Sequence, residues 1–108
     1  MVKNTTGIEQ IIIRYRDELT QVGINVSDIY LYGSYAHGAS HEGSDIDLIV
    51  SSKDFVKYGL RERLELLGMI AARILEPIQA YGVTPDEITQ QKLASFWSNI
   101  LENEAVEV

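Results

Sequence analysis

Residues 31–50, LYGSYAHGASHEGSDIDLIV, restrict the fold more than any other part of the chain. The run opens as the end of one strand, turns at Gly33-Ser34, passes a short helical piece and a Gly- and Ser-rich loop, and enters a second strand carrying Asp45 and Asp47. Side chains alternate faces along a strand, so the two aspartates project from one side. Ile46, Leu48 and Val50 then point the other way, into a core. Two carboxylates held in parallel on a rigid strand repel each other unless a cation lies between them. A hard, oxygen-preferring ion such as Mg²⁺ is the natural occupant.

The first half of the run supplies a complementary part. Gly33 lets the backbone turn tightly and lets a ligand approach closely. Ser34 reads as an N-cap, with the following backbone N–H groups free to point at an anion. A phosphate cradle beside a divalent-metal clamp is the minimum needed to bind a nucleoside triphosphate with its metal.

These two pieces, Gly33-Ser34-Tyr35-Ala36-His37-Gly38 and Ser44-Asp45-Ile46-Asp47-Leu48, resemble the signature of the DNA polymerase beta-like nucleotidyltransferase superfamily. The likeness is greatest to its smallest members, the minimal nucleotidyltransferases (MNT). Two short motifs in the right order, in strand–turn–strand context, form a more specific signal than a lone glycine motif. One departure is visible: position 37, often Arg in the family, is His37 here. The resemblance implies that Gly33, Ser34, His37 and Ser44 contact the nucleotide, with Ser44 at the loop–strand junction. It implies that Asp45 and Asp47 hold metal.

The superfamily also uses a third acidic residue, on a neighbouring strand, to help bind the catalytic metal. On a strand expected over 74–81 the candidate is Glu76, with Leu75 and Pro77 pointing away from the aspartate side. In the scheme this implies, Asp45 and Asp47 bind one Mg²⁺ that holds the triphosphate. Asp45, Asp47 and Glu76 bind a second that activates an acceptor hydroxyl.

Length and charge narrow the acceptor. The chain has 108 residues, enough for a single domain, 1–108, with one modest core. It has no cysteine, which removes disulfides and thiolate metal sites. No apolar run is long enough to span a membrane, and the first residues do not form a targeting peptide, so the expected compartment is the cytoplasm. The net charge of −7, with nine basic residues and no basic run, argues against direct nucleic-acid binding.

Periodicity sets the rest. Ile8, Ile11, Ile12, Tyr15, Leu19 and Val22 recur at helical spacing over 7–22, with Gly23 as the stop. A first strand is expected over 26–32 and a second over 46–51. A helix over 59–72 should turn Leu60, Leu64, Leu67, Ala71 and Ile74 inward and Arg63 outward. Pro77 places the 74–81 strand at an edge. Thr84, Pro85 and Glu87 form a capping box that opens a last helix over 85–101, followed by an acidic, frayed end over 102–108. His41, in the 39–43 loop, reads as solvated. The fold class is α/β (α+β): a small mixed sheet with helices packed mainly on one face.

Together these readings describe a Mg²⁺-dependent transferase of NMP, AMP from ATP, onto a hydroxyl. Nothing in the chain resembles an acceptor-binding domain, so the resemblance implies an acceptor on another protein. Minimal members pair with a helical HEPN toxin, to which the MNT antitoxin transfers AMP. Two rival readings are a non-catalytic binding module on the same fold, and a small-molecule transferase whose pocket is completed by a homo-oligomer.

Overall fold

The computed structural model describes residues 5–38 and 44–108. The 39–43 loop, with His41, lies outside the described residues. The chain runs α1 (Thr5–Gln21), β1 (Asp28–Tyr32), a 3-10 turn (Gly33–Tyr35), β2 (Ile46–Ser51), a second 3-10 turn (Lys53–Lys57), α2 (Leu60–Arg73), β3 (Ile78–Val83), α3 (Pro85–Thr89), α4 (Ser95–Asn103) and β4 (Val106–Glu107). The strands form one mixed sheet in the order β3-β2-β1-β4. β1 is antiparallel to β2 and β4, and β2 is parallel to β3.

The alternation of β2 builds two cores. Ile46, Leu48 and Val50 face α1 and α2, and join Ile8, Ile11, Ile12, Tyr15 and Leu19 of α1 with Leu67, Ile70 and Ala71 of α2. The Tyr15 hydroxyl crosses this core to donate to the Leu67 carbonyl at 2.8 Å, and burial pushes its pKa far up. The opposite face carries Ile49 and Val83, which pack under Ile100, Trp97 and Leu101 of α4. The main helical layer covers one face, as expected, and α4 adds a smaller cover on the other.

Arg63 departs from the expected outward position. It is only 5% exposed, while Leu60 and Leu64 are exposed. Its Nε donates to the Phe55 and Tyr58 carbonyls, and its Nη1 to the Gly82 carbonyl and to Glu87 Oε1, with Nη2 reaching Glu87 Oε2. The long aliphatic stem of arginine passes through apolar surface while the fork finds carbonyls. Burial pushes the Glu87 pKa up, but the Arg63 and Thr84 hydrogen bonds outweigh it and leave that pKa below the ordinary 4.5.

Three further expectations change. The helix over 85–101 is two helices, broken between Thr89 and Ser95. The Thr84–Glu87 capping box that opens it is present, with Thr84 Oγ1 accepting from the Glu87 N–H at 3.1 Å and Glu87 Oε1 accepting from the Thr84 N–H at 2.8 Å. The 102–108 end is partly ordered as β4, with Tyr30 opposite Glu107 and Leu31 opposite Val106. The third strand begins at Ile78 rather than residue 74. It does lie at the edge of the sheet, as Pro77 implied. Among the described residues no helix is long and apolar enough to cross a membrane.

Candidate functional site

The acid pair sits where β1 ends and β2 and β3 begin. Asp47 is the second residue of β2, flanked by Tyr32 on β1 and Gln79 on β3. Asp45 lies one residue before β2 and is exposed, while Asp47 is half-buried. Residues two apart on a strand are roughly 7 Å apart on the same face. Burial, then the charge of Asp45, pushes the Asp47 pKa above the usual carboxylate value. Burial, then the charge of Asp47, pushes the Tyr32 phenol up to about 12.

Gly33 belongs to this site for a steric reason. Its φ is +75°, and a Cβ added there would overlap Asp47 Oδ2. The bare backbone therefore leaves the space that the Asp47 carboxylate occupies. Ser34 lies inside the 3-10 turn rather than capping it: the cap is Tyr32, with no side-chain hydrogen bond. The turn is closed by the Ala36 N–H to the Gly33 carbonyl at 3.1 Å and the His37 N–H to the Ser34 carbonyl at 3.3 Å. His37 follows on an exposed stretch, and Ser44 immediately precedes Asp45.

Glu76 stands apart from the pair. It is held at the end of α2, where its N–H donates to the Ala71 carbonyl at 3.2 Å, and its carboxylate lies 4.0 Å from Arg14 of α1. That is the side of the sheet carrying Ile46 and Ile78. Among the described residues no three of His, Cys, Asp and Glu converge so as to hold a metal ion. The β3 residue on the aspartate face is Gln79, whose Nε2 donates to Asp45 Oδ2 at 3.3 Å. The sequence pattern hides it because an alternation phased on Glu76, three positions earlier, sends Gln79 to the opposite face. Starting after Pro77, the alternation Ile78–Gln79–Ala80–Tyr81 puts Gln79 on the polar face.

An aromatic wall borders the pair and was also missed. Trp97 stacks on Tyr81 with ring centroids 4.0 Å apart and an angle of 12°, and meets Tyr32 edge-on at 5.9 Å. Phe96, largely exposed, meets Trp97 edge-on at 5.0 Å. Tyr32 and Tyr81 share the aspartate face because they pair with Asp47 and Ile49. An open depression of about 490 Å³ lies elsewhere, lined by Lys53, Asp86 and Lys92 among others, and includes neither aspartate.

The donor set fits one hard divalent cation. Two carboxylates on one face, one of them with a pKa raised by burial and then by its neighbour's charge, are the ligands such an ion takes from a strand.

Solved structures share this architecture. A toxin–antitoxin complex crystallised with AMP-PNP aligns with a TM-score of 0.62 and 22% identity, over 92% of this chain and 70% of the other. A mutant of the toxin–antitoxin pair MntA-HpeT aligns with a TM-score of 0.61 and 20% identity, over the same 92% and 70%. A Sulfolobus solfataricus protein classed as a nucleotidyltransferase aligns with a TM-score of 0.55 and 18% identity, over 99% of this chain and 89% of the other. At these identities the likeness carries the fold. No curated protein sequence matches the chain. A family model described as "Nucleotidyltransferase domain" matches residues 12–105, which takes in the acid pair, the Gly33 turn and most of both cores, and the chain belongs to that family.

Proposed function

We propose that the chain is a Mg²⁺-dependent nucleotidyltransferase that moves AMP from ATP to a hydroxyl on a partner protein of the HEPN type, as the antitoxin of a toxin–antitoxin pair. The observation that carries this reading is the packing of the Gly33 turn directly against Asp47, on the face where Asp45 also lies.

Asp45 and Asp47 would hold Mg²⁺, which would neutralise triphosphate charge. Gly33 lets the phosphates approach the backbone, and Ser34, His37 and Ser44 offer polar groups around them. Tyr32 and Trp97 border the site and limit water beside the reacting phosphate. The acceptor oxygen forms a bond to the α-phosphorus as the bond to the bridging oxygen breaks. Pyrophosphate departs and the hydroxyl proton passes to solvent. The toxin–antitoxin neighbours, one of them crystallised with an ATP analogue, support a nucleotide and a protein partner.

The separation of Glu76 from the pair favours a second reading, in which the chain binds nucleotide and partner but transfers slowly. Purified chain with α-labelled ATP, Mg²⁺ and the product of the neighbouring gene tests both. Label on the partner, lost in Asp45→Asn and Asp47→Asn, supports transfer. A complex without label supports the binder, and neither label nor complex overturns both.

A further inference from the structure

We infer that Gln79 takes the place from which a third ligand would reach the acid pair and, as an amide, limits the site to one divalent cation. This rests on the proposed metal role of Asp45 and Asp47.

Position comes first. β3 is the parallel neighbour of β2, and the register sets Gln79 beside Asp47 on one face. On the other flank of Asp47 the partner is Tyr32, whose ring meets Trp97 edge-on. Pro77, the residue before β3, has no polar side chain, and Tyr81 is stacked against Trp97. Gln79 is therefore the β3 side chain placed to complete a ligand set.

Chemistry comes second. Only the amide NH₂ of a glutamine can donate, so the 3.3 Å contact to Asp45 Oδ2 fixes which way the amide points. That hydrogen bond occupies a lone pair that a second ion would need. It also brings no negative charge. On the protein side two carboxylates balance one divalent ion; the triphosphate adds the same charge to wild type and to Gln79→Glu, so position 79 sets the difference, and a second ion at the spacing of two-metal sites, about 4 Å, would face a repulsion four times that of unit charges. Glu76 does not supply the missing charge, since its carboxylate lies toward Arg14.

The experiment counts bound Mn²⁺, used as the probe for Mg²⁺, by electron paramagnetic resonance on the full chain saturated with a non-hydrolysable ATP analogue. Wild type should hold one Mn²⁺ per chain–nucleotide complex, and Gln79→Glu should hold two, the second at least tenfold tighter than any second ion on wild type. Gln79→Ala removes the donor without adding charge, and should leave the count at one and the first affinity unchanged or stronger. Two ions on wild type with affinities within tenfold overturn the inference and leave the proposed function standing, as does a Gln79→Glu count that stays at one in a variant with the wild-type circular dichroism spectrum. A first ion that Asp47→Asn does not weaken overturns the proposed metal site and this inference with it. One ion on wild type, two on Gln79→Glu and no AMP transfer keep the inference and sink the transferase reading.

Discussion

Replacing Gly33 with alanine separates backbone strain from the space the acid pair requires, provided Gly23→Ala is measured beside it. Both glycines have positive φ, +75° and +91°. An L-residue held in the left-handed region costs roughly 1–2 kcal/mol, and the stiffer unfolded chain returns roughly 0.4–1 kcal/mol of that. At Gly23 a new Cβ meets nothing within 4 Å, so the net loss there should be about 1 kcal/mol. At Gly33 the methyl overlaps Asp47 Oδ2 and comes within 3.2 Å of Cγ and 3.4 Å of Cβ. Asp47 is flanked by Tyr32 and Gln79 and has little room to give. Overpacking by one methyl adds about 1–3 kcal/mol, for a total of about 2–4 kcal/mol. Urea denaturation followed through Trp97, the one tryptophan, reads the difference. Gly33→Ala should also weaken Mn²⁺ binding at least tenfold, because the displaced carboxylate is a proposed ligand, while Gly23→Ala leaves it unchanged. Equal stability losses and equal Mn²⁺ affinities in the two variants would refute the argument that Gly33 is bare to accommodate Asp47.

Five other outcomes follow from the same geometry. Arg63→Met should destabilise by about 3–5 kcal/mol in urea, because Glu87 and three carbonyls lose a buried partner; Glu87→Gln should cost less, about 1–2 kcal/mol. The folded-state pKa of Glu87 is depressed, so its stabilisation is present above 4.5 and is lost as pH falls from there through the folded value; Glu87→Gln should flatten that part of a stability–pH curve. Asp47 has the opposite sign: its folded pKa is raised, so wild type without metal loses stability as pH rises through that value, and Asp47→Asn should melt higher at pH 7 yet gain nothing from Mg²⁺. Leu75→Gly should stabilise by about 1 kcal/mol in thermal melts, since Leu75 is 87% exposed and holds φ at +58°. Trp97→Ala, which removes the stack on Tyr81 and the edge contact with Tyr32, should cost about 3 kcal/mol in urea.

What was legible in the sequence, and what was not, divides along one recurring device. α1, α2 and α3 end the same way, with the N–H of a residue just past the helix reaching back to a carbonyl five positions earlier. Ile24 bonds to Leu19, Glu76 to Ala71 and Lys92 to Glu87, at 2.9, 3.2 and 2.9 Å. In each case the residue before the donor is left-handed: Gly23, Leu75 and Gln91. This is the Schellman cap, and its sequence marker is a glycine at the left-handed position. Where the marker is present, at Gly23, the end of α1 was readable to within a residue or two. Where leucine and glutamine take its place, the reading ran through the cap. It gave the cap residues that follow α2, 74–77, to a strand, and joined α3 to α4. Leu75 and Gln91 are both exposed, and the cap hydrogen bonds of Glu76 and Lys92 span a conformation their side chains oppose, which nothing local in the sequence announces. β4 was missed for a related reason: its pairing with β1 is tertiary, and the acidic composition of 102–108 gives no local strand signal.

The phase of β3 is why the acid pair is readable in the sequence and its third companion is not. Asp45 and Asp47 lie two apart, so they share a face wherever the strand is taken to begin. A residue on β3 has no such protection, because its face depends on register with β2, and a shift by an odd number of positions inverts it. The register is set by the ladder itself: the Ile46 N–H donates to the Pro77 carbonyl at 2.8 Å, and Ile78 pairs with Ile46 in the main core. With Ile78 bound to the helical side, Gln79 must face the aspartates. Glu76, three positions earlier and still part of the α2 cap, lies with Arg14. The cap at Leu75 and the core contact at Ile78 therefore decide between them that the chain presents an amide, rather than a carboxylate, to Asp45.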